Sequence, residues 1–393
     1  MNKNILLTSL LVTGIMVMLV FNACKPLKEF GRTPVYDGAN NFQYELPAYD
    51  SSKKTITIIA NNDGTELFDM MAPYYLFNAT EKANVYIVAK NKVPVVVKKG
   101  IFLLPHFTFS QIDSLCIKPD VIVIPYLSVG DSLHQDPVIV NWIKDHYSKE
   151  TSILAICDGA ATAAATGIFD YKPITAHASD YAGIKSQFSK PQWTQNASVV
   201  NSVNLYSTAG VSNAVEGSLL VINKLFGSEM MKKINENIFY PYASPKTEHL
   251  SNTFRSTDKR TVGKKILFKK NKKIGVLLQD GINEFELAAV MDTYNRTFPK
   301  SIQSFSENDV AVKTKYGLTL IPTGKINNAR LDELHIVGTT TFLKPIKTSF
   351  GEAAIVQYDN VQKQYIFEEC LQRISTEYGQ KFANVVKLML DYN

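Results

Sequence analysis

Nine residues recur at a single offset of 217 positions, and that register constrains the fold more than any other feature of the chain. Asp63-Gly64 returns as Asp280-Gly281. Asn91, Val93, Val95, Lys98, Gly100, Leu103 and Pro105 return as Asn308, Val310, Val312, Lys315, Gly317, Leu320 and Pro322. Matches in one register, with the same strand-loop-helix texture around both sets, mean that one structural plan is laid down twice. The second copy is incomplete. The first contains Ile153-Leu-Ala-Ile-Cys-Asp-Gly-Ala160 and then small residues to Gly167, whereas residues 323–393 hold no strand, Cys, Gly and helix in that succession. They end in two helical segments, near Tyr365 to Tyr378 and Gln380 to Leu390.

At 393 residues the chain exceeds what one core usually holds, which agrees with two domains and a leader. The expected division is a leader over 1–24, a tether over 25–54 and a first domain over 55–228. A linker over 229–265 and a truncated second copy over 266–393 follow. Thr55 to Ala60, Val85 to Ala89, Val93 to Val97 and Val121 to Pro125 read as strands, and Glu66 to Ala79 and Pro137 to Lys149 as helices. Several strands are continuous apolar runs alternating with helices, which argues for an α/β fold with a parallel sheet covered on both faces.

The octapeptide from Ile153 reads as a buried strand turning sharply into an alanine-rich helix. Such a junction exposes a side chain at the tip of the turn and lowers the energy of a thiolate there. An isolated Cys at that place reads either as a reactive nucleophile or as an inert buried thiol. A nucleophile needs a base, and His177 lies 20 residues on, in Pro173-Ile-Thr-Ala-His-Ala178, a short strand expected to return to the same sheet edge. The alternative for His177 is a surface histidine on a loop.

The net charge of +6 is spread thinly, and no segment interleaves basic and aromatic residues in the manner of a nucleic-acid surface. Nucleic acid is therefore not expected as a partner, and the basic run Lys259 to Lys273 reads as a solvated linker end. The start of the chain gives an address. Lys3, the apolar run Ile5 to Val20 and Phe21-Asn-Ala-Cys24 have the parts of an export signal. The Cys directly after Ala23 resembles a bacterial lipoprotein box, in which Cys24 becomes the lipidated first residue. The alternative is an uncleaved anchor, because Ile5 to Ala23 is 19 residues, enough to span a bilayer. Both readings place the protein outside the cytoplasm on a membrane. Of the remaining cysteines, Cys116, Cys157 and Cys370, none has the spacing of a zinc ligand, so no metal is expected. A Cys116–Cys370 disulfide stays open.

Four motifs carry a resemblance. Cys157-Asp-Gly-Ala, the small-residue helix ending in Gly167-Ile-Phe-Asp170, the Thr175-Ala-His177 strand and Tyr206-Ser-Thr-Ala-Gly-Val-Ser212 together resemble the PfpI (Parkinsonism-associated deglycase) family of the class I glutamine-amidotransferase-like superfamily. The nearest likeness is to amidase-like domains that precede helix-turn-helix segments in some regulators. The resemblance spans about Thr55 to Gly227 and implies a flavodoxin-like parallel-sheet sandwich with no cofactor. It implies Cys157 as nucleophile, His177 as proton carrier and a carboxylate beside the sulfur, placed at Asp69 with Glu66 in reserve. The backbone N–H groups of Asp158 and Gly159 would hold an oxyanion. The chain departs from the family in two places. Pro125-Tyr-Leu stands where many members have Pro-Gly-Gly, and an acidic Asp158 follows the nucleophile. The expected function is a cysteine-dependent hydrolase, amidase or deglycase acting on a small carbonyl or amide substrate, with a non-catalytic ligand-binding or redox-sensing module as the alternative. The oligomeric state is left open.

Overall fold

Strand β1 (Lys54–Ala60) is buried on both sides, so its side chains feed two cores. Ile56 and Ile58 point into one and Ile59 into the other. That double burial requires helices above and below the sheet. The computed structural model describes residues 25–392 apart from 39–41, 43–45, 98–99, 130–134, 327–328, 340–348 and 360. The leader and Cys24 lie outside the described residues, and among those described no helix is long and apolar enough to cross a membrane.

In the first half, β2 (Ala83–Ala89), β3 (Val95–Val97), β4 (Ile101–Leu103), β5 (Phe107–Thr108), β6 (Val121–Ile124) and β7 (Ser152–Ala155) follow β1. After them come β8 (Pro173–Ile174), β9 (Gln192–Trp193), β10 (Val199–Ser202) and β11 (Leu205–Thr208). The central sheet has the order β10-β11-β7-β6-β1-β2-β5 and is parallel except for β10. Helices α1 (Leu67–Asn78) and α3 (Ala214–Phe226) cover one face, and α2 (Gly159–Ala165) lies with others on the opposite face.

The second half contains α4 (Ser256–Phe268), β12 (Lys273–Leu278), α5 (Glu284–Asn295), β13 (Ser301–Ser306), β14 (Val312–Lys313) and β15 (Thr319–Pro322). Then follow β16 (Glu333–Val337), β17 (Ala354–Tyr358), α6 (Ile366–Tyr378) and α7 (Gln380–Met389). Its sheet order β13-β12-β16-β17 repeats β2-β1-β6-β7. Helix α5 falls 217 residues after α1 at both ends.

The halves meet about a local two-fold relation. Phe68 and Phe285, which are 217 residues apart, place their ring centroids 5.3 Å from each other. Leu103 and Leu320, also 217 apart, pair where β4 and β15 run antiparallel in a shared sheet of order β14-β15-β4-β3. Helix α1 is buried from Leu67 to Phe77, since the sheet lies on one side of it and α5 on the other. A helix apolar on every side is satisfied only in such a sandwich.

Three segments differ from the sequence reading. Within 25–54, expected to hold the body away from the membrane, residues 25–31 form a helical turn that packs on the second half. Phe30 packs tilted against Phe298 with ring centroids 4.7 Å apart, and the Ile302 N–H donates to Glu29 at 3.1 Å. The expected linker 229–265 contains a helix over Ser228–Asn237 and most of α4. Met231, Ile234, Val262 and Ile266 are buried at helical spacing, a period masked by the surrounding Lys, Asn and Thr. Strand β8 pairs with β9 in a separate sheet instead of joining the central one.

Because Phe68 also packs on Phe367 of α6 at 4.8 Å, Phe68→Ala should remove contacts that bind both halves. It is expected to cost about 3–5 kcal/mol and to leave one cooperative unfolding transition in denaturant. Two separated transitions in the wild type would show that the halves unfold independently.

Candidate active site

The turn after β7 places Cys157 at φ 55°, a left-handed conformation that costs a non-glycine residue about 1 kcal/mol or more. Glycine is required two positions on. A Cβ on Gly159 would lie 2.1 Å from the carbonyl oxygen of Ile124 at the end of β6, so the helix could not start so close to the sheet with any other residue. The two residues together turn the sulfur inward above the sheet, where Cys157 is buried. The Asp158 N–H hydrogen-bonds to the sulfur.

Carboxylates surround this thiol. Burial, then Asp158, Asp69 and Glu66, push its pKa well above the ordinary thiol value, and the Asp158 N–H opposes them. Asp69 on α1 is itself wholly buried. Desolvation and the neighbouring Glu66 hold its carboxyl well above the usual range, against a single hydrogen bond from the Tyr126 N–H to Oδ2 at 3.1 Å. Its Oδ1 has no hydrogen-bond partner. Burial and the crowded carboxylates thus disfavour the charged form of both Asp69 and Cys157. No hydrogen bond joins them.

Backbone donors near the sulfur are committed elsewhere, among them one of the two expected to hold an oxyanion. The Gly159 N–H donates to Ile156 O at 2.8 Å, and the Tyr126 N–H is taken by Asp69. Asp158 stands at the N-cap of α2 without a side-chain cap bond, so its charge stays near the sulfur. The loop after Pro125 is drawn onto the start of α1, with the Glu66 N–H donating to Tyr126 O and Leu127 bridging Thr65.

His177 lies on the loop after β8, held over the central sheet by the Thr175 N–H donating to Ser207 Oγ of β11. Its Nδ1 is 2.6 Å from Ser179 Oγ, which donates to Asp180, and no hydrogen bond joins the ring to Cys157. Cys116 and Cys370 are both free, so the disulfide left open in the sequence is not formed. Among the described residues no group of His, Cys, Asp or Glu is placed to hold a metal ion.

The second half contributes two residues that the sequence reading missed. Arg296, at the C-terminus of α5, reaches Glu66 at 3.4 Å and Asp292 at 2.8 Å, and Asp292 Oδ2 accepts the Phe68 N–H at 3.2 Å. Burial works to lower the pKa of Arg296, but Asp292 and Glu66 outweigh it, so the guanidinium stays charged. Its Nε donates to Met389 O, tying in the end of α7. The signal was an Asp and an Arg four residues apart, the spacing of neighbours on one helix face.

The C-terminus closes the same region. The Ser212 N–H donates to Leu390 O at 3.1 Å, and Asp391 packs so tightly on Gly210 that a Cβ there would meet it at 2.1 Å.

The profile of the DJ-1/PfpI family matches residues 54–224, the segment that carries the sheet, the elbow and α3. Residues 54–224 are a DJ-1/PfpI family domain. Isonitrile hydratase from Pseudomonas putida is 23% identical over 177 residues, covering 45% of this chain and 75% of the relative. The crystal structure of Drosophila melanogaster DJ-1beta is 21% identical, with a TM-score of 0.43 over 48% of this chain and all of the other. A THiJ/PfpI family protein from Pseudomonas syringae is 20% identical, with a TM-score of 0.43 over 55% of this chain and 85% of the other. The DJ-1/PfpI domain here is thus less than half of the chain, and the buried charges next to its elbow are balanced from outside it.

Arg296→Met should leave Glu66 and Asp292 buried without their cation and destabilise the protein by about 3–5 kcal/mol in denaturant titration. Adding Glu66→Gln and Asp292→Asn should recover much of the loss. A cost below about 1 kcal/mol for Arg296→Met would show that the cation is dispensable.

Proposed function

We propose that the DJ-1/PfpI domain is a thiol–acid hydratase for small uncharged molecules whose electrophilic carbon also accepts a proton, with isonitriles as the class. The observation that carries this reading is the buried Asp69, whose Oδ1 has no hydrogen-bond partner and whose carboxyl burial holds towards the neutral form, near enough to the Cys157 thiol to push its pKa up. Attack on an ester or amide carbonyl builds charge on oxygen and needs preorganised N–H donors. Here the Gly159 and Tyr126 N–H groups are occupied. Addition to an isonitrile carbon needs no such hole, because the attacked atom takes the proton itself. The isonitrile hydratase relative supports the same substrate class.

The chemistry balances within the pair. Asp69 gives its proton to the substrate carbon as the Cys157 sulfur bonds to that carbon, and the thiol proton passes to the vacated Asp69 oxygen. The product of this step is a thioimidate. Water then adds at its carbon, the S–C bond breaks, the sulfur regains a proton and an N-substituted formamide leaves. The imidazole of His177, bonded on its own loop, is not needed. A thiol kept protonated is also slow to oxidise, so redox sensing has less support. The export-type leader supports an extracytoplasmic, membrane-anchored location for this activity.

The test is formamide production from a small alkyl isonitrile, followed by proton NMR. Cys157→Ala should abolish turnover, Asp69→Asn should lower kcat about a thousandfold, and His177→Ala should change it by less than about tenfold. Absence of formamide with the wild type, or its persistence in Cys157→Ala, would refute the reading. Stability gives a second readout. A raised Asp69 pKa means that the folded state binds this proton more tightly than the unfolded chain, so stability falls as pH rises from about 4 through the folded value. Asp69→Asn cannot lose that proton. It should be at least as stable as wild type at neutral pH and should flatten this part of the profile.

A further inference from the structure

Helix α4 carries a basic stripe along one side. Arg260, Lys264 and Phe268 recur every four residues and so share a stripe that faces α7 across a groove of about 990 Å3. Arg255 and Lys269 extend the wall, and Lys381 and Lys387 of α7 stand in the lining. Asp258 is the one acid there, and it is paired with Arg255 at 3.7 Å. Beneath the groove Lys265 is buried, with its ammonium donating to Asn271 and to Phe298 O. Desolvation brings its pKa down to about 7. A second anomaly lies at the lip. Phe268 is 72% exposed, and Leu267 beside it is 39% exposed. An exposed aromatic side chain amid cations that outnumber the acids around them is the pattern of a surface that meets lipid headgroups.

The helical turn over 25–31 bears on what occupies this surface. Phe298, whose carbonyl holds Lys265, is the residue against which Phe30 packs, and Glu29 is fixed to Ile302. The helical turn over 25–31 therefore docks at the same corner as the end of α4. Five helical steps, about 8 Å, lead from Phe30 back to Lys25, and Cys24 comes next. An anchor at Cys24 would leave the protein beside the basic groove.

We propose that the α4–α7 face docks on an anionic lipid surface, with headgroups against the groove cations and Phe268 at the interface. The proposal rests on the expected anchor at Cys24 and is independent of the hydratase chemistry. It turns the basic run from a solvated linker end into a second membrane contact that fixes how the body lies on the bilayer.

The test uses the full chain in lipid nanodiscs, with lysine acetylation read by mass spectrometry. In discs containing phosphatidylglycerol, labelling of Lys264, Lys269 and Lys381 should fall about tenfold relative to exposed Lys172, and should recover in about 0.5 M salt. In discs of phosphatidylcholine alone it should not fall. Arg260→Glu and Phe268→Ser should each weaken the protection while leaving the circular dichroism spectrum and the labelling of Lys172 unchanged. Equal labelling in the two lipids, or full protection in both variants, overturns the proposal. Protection by inorganic polyphosphate without discs also overturns it, since the groove would then be a small-anion site.

Discussion

The packing of α1 against α5 is the contact on which the rest depends. Each helix is buried along nearly its whole length, so neither half can cover its own central helix alone. Phe68 on Phe285 puts equivalent residues face to face, and the pairing of Leu103 with Leu320 repeats that relation in the shared sheet. A second half with the same strand order thus supplies, within one chain, the matching surface that a symmetric dimer would otherwise provide. The two halves can differ in sequence, because they are not encoded by the same residues.

That divergence bears on chemistry. The first half keeps the strained elbow, and the second half keeps the acid position as Glu286 with no thiol to serve. What the second half adds is charge balance. Several carboxylates crowd one buried thiol, and Arg296 is the cation that makes the cluster tolerable in a dry interior. Such a site is poor at generating a thiolate but well suited to holding neutral acids close together. The loss of free N–H donors at Gly159 and Tyr126 points the same way.

Much of this was legible in the sequence, and the reasons differ by element. The strands and α1 were readable because continuous apolar runs admit few alternatives, and the 217-residue register foretold the repeated strand order. The elbow was readable because Cys-Asp-Gly between an apolar strand and an alanine helix has a specific local geometry. The placement of Asp69 near the sulfur followed from resemblance. The remainder was hidden for physical reasons. Which backbone N–H groups are free depends on turns such as Gly159 to Ile156, which composition does not encode. Arg296 lies 230 residues from Glu66, and only the packing of two helices brings them together. Helix 228–237 and α4 were hidden because their polar majority outweighs a few apolar residues at helical spacing.

The central claim is that the thiol at the elbow rests neutral among buried acids. Titration of the thiolate absorbance near 240 nm, taken as the difference between wild type and Cys157→Ala, measures that ionisation directly. The account predicts no ionisation step for Cys157 below the ordinary thiol value of about 8.5. A thiolate already formed at neutral pH would contradict it.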